Sequence, residues 1–243
     1  MKNIFLILAL FSLGSLVAQE PYKRTLKLMG SRFDITVVAK DQVEADEYID
    51  LAVSEITRIE QLISSWDSNS QTSEVNRNAG LRPVKVDAEL FDLIQRAIGI
   101  SKLTDGAFDV SYASMDKIWK FDGSMTVMPS TDSIKASVSK VGYQNIVLDK
   151  ESSTVFSKLK GMKIGFGAIG KGYAADKANP MDKNKVFALL PITNGAVVTS
   201  GNYEKYVTFN DVRYTHIIDP RSGYPATGII SVTVFAPKAE LAD

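Results

Sequence analysis

Apolar and polar positions alternate along residues 25–39, TLKLMGSRFDITVVA, on both sides of Gly30. The apolar residues of the second half share one face of an extended chain: Phe33, Ile35 and Val37. A period of two is typical of half-buried strands. The pattern therefore predicts two strand pieces that are interrupted at Met29-Gly30-Ser31, where glycine permits a bulge or the close approach of a ligand.

A helical period replaces the alternation further along the chain. Apolar residues recur at helical spacing over residues 43–64, at Tyr48, Ala52, Ile56, Ile59 and Ile63. This segment follows Asp41 and is predicted to form a long amphipathic helix. A second helix is predicted from Asp87, which fits the N-cap position, to about Leu103.

Shorter periodic segments, separated by turn residues, make up the rest of the chain. Residues 162–178, MKIGFGAIGKGYAADKA, are predicted to form a strand, a glycine-rich turn and the start of a helix. Short strands are predicted for residues 195–201, for a hairpin with Asn210-Asp211 at its turn, and for residues 228–236. This order of elements predicts an α+β fold of mainly antiparallel sheets with packed helices.

The first residues have the pattern of a secretory signal peptide. A positively charged start is followed by an apolar run over residues 4–13 and then by small residues, and we expect cleavage after Gln19. A membrane anchor is the alternative, but a span needs about 20 apolar residues. Residues 1–19 are therefore interpreted as signal peptide and residues 20–243 as one domain, exported to the periplasm without a stable membrane span.

Composition narrows the possible chemistry. The 28 basic and 28 acidic residues give a formal net charge of zero, and no basic block indicates nucleic acid as a partner. The chain has no cysteine and one histidine, His216. Disulfides and thiolate metal sites are therefore excluded. A metal ion must be held by oxygen ligands, which suit Mg²⁺ or Ca²⁺, or by His216.

Four glycines surround Lys171 in the segment IGFGAIGKGYAAD, residues 164–176. Glycines at a strand-to-helix turn let backbone N–H groups approach a phosphate, and the N-terminus of the following helix adds positive potential. The spacing is neither that of a Walker P-loop nor a complete GxGxxG. A tight structural turn remains the alternative.

The single histidine lies in HIIDPRSGYP, residues 216–225. Asp219 and Pro220 fit the first two positions of a type I turn, and Gly223 fits a left-handed position after it. Such a turn would bring His216, Asp219 and Arg221 close together. The imidazole could then act as a general base and the guanidinium could pair with a phosphate, or the segment could be purely structural.

Other aromatic and acidic residues have two possible roles each. Trp66 and Tyr112 could stack on a flat ligand, although aromatic rings beside helices commonly pack in cores. Glu240 and Asp243 could supply oxygen ligands, or could be solvated near the end of the chain. The acidic residues of the middle region are interpreted as solvated or capping groups: Asp105, Asp109 and Asp116.

Seven specific segments follow one another along the chain. They are MGS at 29–31, SEVNR at 73–77, TDGAFDVS at 104–111, GFGAIGKGYAAD at 165–176, TSGNYEKY at 199–206, HIIDPRSGYP at 216–225 and SVTVFAPKAELAD at 231–243. In this order they resemble the FAD:protein FMN transferase family, the ApbE-like flavin transferases. The resemblance covers nearly the whole mature chain and implies the flavin transferase architecture of that family, which is T-fold-like.

The resemblance also implies a reaction. Members of this family cleave the diphosphate of FAD and join FMN to a threonine or serine hydroxyl of an acceptor protein, with release of AMP. They need a divalent cation, usually Mg²⁺, and act outside the cytoplasm. FAD and an acceptor protein are therefore the expected partners.

Matching the motifs residue by residue implies specific roles. The carbonyl of Ala168 and the carboxylate of Asp243 would coordinate Mg²⁺. Lys171 would lie near the flavin phosphates, and His216 would be the base for the incoming hydroxyl or a phosphate contact. The remaining residues that the resemblance places at FAD are Met29, Gly30, Ser31, Trp66, Asp109 and Asp219, with Trp66 at the flavin ring.

Two departures from the family pattern affect these expectations. The helix after the glycine-rich turn is interrupted at Pro180, and a strand pair is missing near Ala178–Asn179. After Asp243 the pattern continues with a threonine ligand and a closing helix. We therefore expect an incomplete domain with an unpaired sheet edge near Gly195–Ser200, an open cleft beside Asp243, weak Mg²⁺ binding and little transferase activity.

Three other functions are compatible with parts of this picture. A non-catalytic periplasmic protein could bind FAD without a working metal site. An FAD pyrophosphatase would use water as the acceptor and produce FMN and AMP. A purely structural exported module is the third, and the ordered series of motifs argues against it.

Overall fold

The computed structural model describes residues 19–177, 195–201, 205–229 and 231–243. The α-helices are α1 (Gln42–Ile63), α2 (Gln71–Arg77), α3 (Ala88–Leu103), α4 (Thr131–Ser137), α5 (Gly170–Lys177) and α6 (Ala239–Ala242). The strands are β1 (Glu20–Leu28), β2 (Ser31–Ala39), β3 (Val84–Lys85), β4 (Ile146–Asp149), β5 (Thr154–Ser157), β6 (Ala196–Gly201), β7 (Tyr206–Phe209), β8 (Val212–Thr215) and β9 (Ser231–Ala236).

Every strand pairing is antiparallel. The described sheets are β1-β2, β3-β5-β4, β6-β9 and β7-β8. The predicted α+β fold with mainly antiparallel sheets is confirmed. The hairpin predicted around Asn210-Asp211 is present as β7 and β8, and both turn residues have positive φ, as a two-residue hairpin turn requires.

The interruption near Gly30 is a hairpin turn and not a bulge. Leu28 pairs with Ser31, so only Met29 and Gly30 connect β1 to β2. Their φ angles are 49° and 69°, in the left-handed region that suits a two-residue turn between twisted strands. This backbone conformation is unfavourable for a residue with a side chain, such as Met29.

Helix α1 forms for the reasons that the sequence indicates. The side chain of Asp41 accepts a hydrogen bond from the backbone N–H of Glu44 and caps the first turn. The buried face consists of Ala45, Ile49, Ala52, Ile56, Ile59, Leu62 and Ile63. Tyr48, one of the apolar positions used for the prediction, is only half-buried, and its hydroxyl donates to Glu44.

The predicted strand at the start of residues 162–178 is wrong. Within the described part of the chain, residues 162–166 pair with no strand, although Met162 and Ile164 are fully buried. The side chain of Asn76 instead donates to the carbonyl oxygen of Ile164 and accepts from its N–H, over 3.0 and 2.8 Å. One amide side chain thus takes the place of a neighbouring strand and satisfies this buried backbone.

Strand β6 pairs with β9 over its whole length. No second neighbour of β6 occurs among the residues that the structure describes. The predicted missing strand pair, near residues 178–179, lies outside the described residues. None of the helices in the described ranges is long and apolar enough to cross a bilayer.

Candidate functional site

Helix α5 begins directly after the glycine-rich loop, and three of the four glycines in this segment are closely packed. A Cβ on Gly165 would lie 2.9 Å from Cβ of Ala113. A Cβ on Gly170 would lie 2.7 Å from Cδ1 of Ile63. A Cβ on Gly172 would lie 2.4 Å from the carbonyl oxygen of Ala239. Gly167, by contrast, has nothing within 4 Å of its added Cβ, so its backbone faces open space. The loop is therefore both a tight packing turn and an accessible stretch of backbone.

The turn at Met29-Gly30 lies beside this loop. Cε of Met29 is 3.6 Å from the position that a Cβ on Gly170 would occupy. The N–H of Met29 donates to Oε2 of Glu60 in α1 over 3.0 Å. Glu60 thus stabilises the left-handed turn, and the thioether fills the space above Gly170. The structure thus places Met29 against Gly170, and the assignment of Met29, Gly30 and Ser31 to an FAD site stays a prediction.

A cleft runs between β2, the start of α5 and β6. Its lining comprises Arg32, Phe33, Asp34, Lys171, Gly172, Ala175, Ala196, Val197, Val198, Ala239 and Asp243. Lys171 is exposed, and its ammonium group makes one long hydrogen bond, 3.4 Å, to the carbonyl oxygen of Gly167. The ammonium group is therefore free to bind an anion in the cleft, next to the N-terminus of α5.

Asp243 also lines this cleft, directly beside the first turn of α5. Its Oδ2 accepts a hydrogen bond from the N–H of Gly172 over 3.1 Å. The carbonyl of Ala168, on the exposed part of the glycine-rich loop, accepts no hydrogen bond from the described residues. A carboxylate and a backbone carbonyl thus flank the first turn of α5.

This donor set can be tested against Mg²⁺. Mg²⁺ prefers oxygen ligands and is commonly held by one or two carboxylates together with substrate phosphates. In the described ranges there is no group of three or more His, Cys, Asp or Glu side chains that could hold a metal by itself. The oxygens of Ala168 and Asp243 therefore fit a Mg²⁺ ion that also binds phosphates, and do not fit an all-protein metal cage.

Glu240 does not belong to this donor set. It is 5% exposed and pairs with Arg96 of α3, with Nε of the arginine 2.7 Å from Oε1 of the glutamate. Because a buried carboxylate with a close arginine partner is already neutralised, Glu240 is a structural anchor for α6. The interpretation of Glu240 as a possible oxygen ligand is not supported by this pairing.

An ion-pair network lies behind α5. The hydroxyl of Tyr173 donates to Oε1 of Glu89 over 2.6 Å, and Arg58 of α1 binds both carboxylate oxygens of Glu89. The Arg58 guanidinium lowers the pKa of Glu89, with a smaller contribution from Tyr173. Burial raises the pKa of Tyr173, as does the Glu89 carboxylate. The network joins α1, α3 and α5 and fixes the helix that carries Lys171.

His216 follows β8 and is exposed. Its Nδ1 lies 3.2 Å from the carbonyl oxygen of Lys205, and its backbone N–H donates to the same oxygen. A carbonyl oxygen can only accept, so Nδ1 carries the proton of the neutral ring and the lone pair is on Nε2. Among the described residues, His216 forms no hydrogen bond with Asp219 or Arg221.

Asp219 and Arg221 bind each other instead. The carboxylate of Asp219 accepts from Nε and Nη2 of Arg221 over 2.9 and 2.7 Å, and this lowers the pKa of Asp219. The backbone forms the predicted turn, with Gly223 at φ 74° and its N–H bound to the carbonyl of Asp219. The predicted turn is confirmed, and within it Asp219 and Arg221 form an ion pair in which His216 takes no part.

Trp66 and Asp109 have contrasting surroundings. The Trp66 ring is 74% exposed in the polar segment after α1, so it is not a core residue. Asp109 is 8% exposed, and its two oxygens accept hydrogen bonds from Ser111 and from the N–H of Tyr143. Trp66 is thus available for stacking, while Asp109 is engaged as a cap in the described structure.

The sequence did not reveal the residues that support the site from behind. Glu60 holds the Met29 turn, Asn76 holds the backbone of Ile164, and Asp176 bonds to α6. Asn76 and Asp176 occur within the motifs SEVNR and GKGYAAD, so their positions were visible although their partners were not. Glu60 lies outside the motifs and had no such signal.

The chain is similar to known flavin transferases over most of its length. The model of the ApbE family matches residues 29–181 and 177–243. A FAD:protein FMN transferase of Klebsiella pneumoniae (strain 342) is 30% identical over 248 residues, covering 88% of this chain and 77% of that protein. A FAD:protein FMN transferase of Treponema pallidum (strain Nichols) is 26% identical, covering 96% of this chain and 79% of that protein.

The fold has a counterpart among solved structures. The crystal structure of the ApbE protein from Thermotoga maritima MSB8 superimposes with a TM-score of 0.78 and 29% sequence identity. The superposition covers 92% of this chain and 84% of that one. The agreement is therefore not limited to one motif.

Proposed function

The chain belongs to the ApbE family, and on this premise we propose that it is an FAD:protein FMN transferase. The hydroxyl oxygen of a threonine or serine of the acceptor protein attacks the phosphorus of the FMN half of FAD. The bond from that phosphorus to the bridging oxygen of the diphosphate breaks, and AMP leaves with the bridging oxygen. The proton of the hydroxyl passes to a base on the enzyme.

The observation that carries this proposal is the cleft shared by Lys171 and Asp243. The exposed ammonium group and the N-terminus of α5 both attract a diphosphate, whose charge must be neutralised during the reaction. Arg32 adds a second cation to the lining, although its guanidinium is paired with Asp34. A strongly anionic, elongated substrate fits this arrangement.

Mg²⁺ is the proposed metal, and Ala168 and Asp243 are its proposed protein ligands. When bound, Mg²⁺ neutralises charge on the phosphate oxygens and stabilises the leaving phosphate. The chain's own residues orient these ligands, because Gly172 holds one oxygen of Asp243 and leaves the other oxygen without a partner in the described residues.

His216 is the proposed base. The hydrogen bond from Nδ1 to the carbonyl of Lys205 fixes the tautomer that has its lone pair on Nε2, and the ring is accessible. Neutral imidazole accepts protons near neutral pH. Asp219, Met29, Gly30, Ser31, Trp66 and Asp109 are proposed as FAD-binding residues. For Trp66, its 74% exposure supports stacking on the flavin.

We further propose that the chain lacks an internal segment near residue 178. The two matches to the family model meet there, at residues 177–181. The Klebsiella alignment has 248 positions and covers 88% of 243 residues, which is about 214, so about 34 aligned positions have no counterpart in this chain. Inserting the relative's aligned residues at that junction is expected to raise the free energy of unfolding, and a lower value would contradict the proposal.

Export is proposed from the pattern of residues 1–19. Expression of the full sequence in a bacterium followed by osmotic shock tests it. Release of a protein whose N-terminus is Glu20 is the expected result. Retention of residues 1–19 on a cytoplasmic product would contradict it.

One assay tests the enzymatic proposal. The protein is incubated with FAD, Mg²⁺ and an acceptor that carries a target threonine, with and without a chelator. Flavin fluorescence on the acceptor in a denaturing gel, together with AMP release, is the expected result. AMP release without labelled acceptor would indicate an FAD pyrophosphatase. FAD binding without AMP release would indicate a non-catalytic flavin-binding protein.

A further inference from the structure

Helices α5 and α6 cap each other through two aspartates. Asp243, at the end of α6, accepts from the N–H of Gly172 in the first turn of α5. Asp176, in the last turn of α5, accepts from the N–H groups of Ala239 and Glu240 at the start of α6, over 2.9 and 3.0 Å. The two contacts lie at opposite ends of an antiparallel pair of short helices.

The spacing in each helix makes this reciprocal arrangement possible. Gly172 and Asp176 are four residues apart and share one face of α5, and the same holds for Ala239 and Asp243 in α6. The absent side chain of Gly172 lets the two faces touch, since any Cβ there would collide with the carbonyl of Ala239. The two helices therefore pack closely through these two faces.

Helix α6 depends on this contact. It has only four residues, and an isolated helix of that length is unstable in water. Its N-cap residue is Lys238, which has no side-chain acceptor and makes no capping hydrogen bond. Asp176, although it belongs to α5, accepts the hydrogen bonds that an N-cap side chain of α6 would accept. Its negative charge also interacts favourably with the positive N-terminal end of the α6 dipole.

The position of Asp176 within α5 supports the same conclusion. A carboxylate in the last turn of a helix is repelled by that helix's own negative end. Asp176 therefore costs α5 some stability, and the favourable interaction is with α6. The ion pair of the buried Glu240 with Arg96 holds α6 on its other side.

We propose that Asp176 is a positioning residue that sets the place of the Asp243 carboxylate beside Lys171. It touches neither substrate nor metal in this role and acts through the backbone of α6. The proposal rests on the proposed function, in which Asp243 is a metal ligand. Loss of the Asp176 contacts would let α6 fray and would release Asp243 from the cleft.

The test combines amide hydrogen exchange with binding of Mn²⁺, a spectroscopic substitute for Mg²⁺, to the FAD-saturated protein. For Asp176→Ala we expect faster exchange in the fragment 239–243 and a Mn²⁺ dissociation constant raised roughly tenfold, as for loss of a strong helix cap. FAD affinity without metal should be unchanged. Asp176→Asn keeps one acceptor oxygen and should give an intermediate result, and it replaces the alanine variant if that variant does not fold.

Asp41→Ala is the matched control, because it removes a carboxylate cap from the N-terminus of α1. The opposite end of that helix, at Ile63, is the one that packs against Gly170 of α5. This substitution should lower stability without changing Mn²⁺ affinity. Unchanged exchange in Asp176→Ala, or faster exchange with unchanged Mn²⁺ affinity, would overturn the proposal. A wild-type protein that binds Mn²⁺ no better than Asp243→Asn would instead refute the proposed metal site, and the exchange data would still show whether Asp176 holds α6.

Discussion

The N–H of Gly172 donates to the carboxylate of Asp243 across 3.1 Å, which joins the glycine-rich loop to residues 71 positions further along the chain. Two motifs that are distant in sequence thus form one wall of the cleft. The contact requires the absence of a side chain at Gly172, because the carbonyl of Ala239 occupies the space where a Cβ would be. Asp243 can therefore occupy its position only because residue 172 is a glycine.

Gly172→Ala should displace α6. The added methyl would lie 2.4 Å from a backbone oxygen, which cannot move out of the way as a flexible side chain can. We expect a loss of about 1–3 kcal/mol in the free energy of unfolding, and loss of FMN transfer with it. Urea denaturation and the transfer assay measure the two effects.

Gly99→Ala is the matched control for that substitution. Gly99 is also in a helix, α3, and nothing lies within 4 Å of an added Cβ. The usual helix propensities then apply, and we expect a gain of about 0.5–1 kcal/mol. If both variants gained stability, the close contact between α5 and α6 would be wrong.

Asn76→Ala should destabilise the core beneath the glycine-rich loop. It removes both hydrogen bonds to the backbone of Ile164, which is fully buried, and leaves an N–H and a carbonyl without partners. We expect a loss of about 2–4 kcal/mol. Asn76→Asp should also be destabilised, because a carboxylate can accept from the N–H but cannot donate to the carbonyl.

Asn69→Ala provides the comparison for Asn76. Asn69 is exposed, and within the described residues its side chain makes no hydrogen bond. Its replacement should change the free energy of unfolding by less than about 0.5 kcal/mol. Equal effects of the two alanine substitutions would contradict the strand-like role of the Asn76 amide.

The elements that could be predicted from sequence are those fixed by local interactions. Helix α1 has its cap at Asp41 and its own buried stripe, and the turn before Gly223 has aspartate, proline and glycine at the positions that such a turn requires. Both were predicted close to their observed positions. Neither depends on a residue far away in the chain.

Contacts between distant segments explain what the sequence did not reveal. Residues 162–166 have the composition of a strand, but the backbone of Ile164 is bound by the side chain of Asn76, 88 residues earlier in the chain, and that of Lys163 by the side chain of Ser114. Similarly, Glu240 resembles a free carboxylate near the end of the chain until Arg96 is found beside it. Periodicity carries no information on such pairings, because it describes only one element at a time.

Glu89→Gln should change how stability depends on pH. The pKa of Glu89 is lowered in the folded state, chiefly by Arg58, from an ordinary value of about 4.3. A carboxylate with a lowered folded pKa stabilises the protein above the unfolded pKa, and this contribution is lost as pH falls through the folded pKa. The difference between wild type and Glu89→Gln should therefore be greatest near neutral pH and should shrink below about pH 4.

Denaturation of both proteins at several pH values measures that difference. We expect about 1 kcal/mol near neutral pH, because Arg58 is half exposed and solvent screens the pair. Glu151→Gln is the control, since the exposed Glu151 side chain makes no hydrogen bond or ion pair within the described ranges. If the difference in free energy of unfolding between wild type and Glu89→Gln grew as the pH fell, the pKa of Glu89 would not be lowered in the folded protein.

His216→Asn separates the proposed chemistry of the histidine from its structural bond. The amide nitrogen of asparagine occupies the place of Nδ1 and can still donate to the carbonyl of Lys205, as Nδ1 does over 3.2 Å, but it cannot accept a proton as Nε2 can. If His216 is the base, both His216→Asn and His216→Ala should slow FMN transfer by about 10²-fold or more, the usual scale for an acid–base group. Because the ring is exposed, neither variant should change the melting temperature or the affinity for FAD appreciably.

The transfer rates of both variants are compared with that of the wild type. If the wild type transfers FMN only after the missing segment is inserted, all three proteins carry the insertion. Added imidazole should partly restore His216→Ala. A fast His216→Asn variant beside a slow His216→Ala variant would show that the bond to Lys205 matters and that the base is another group.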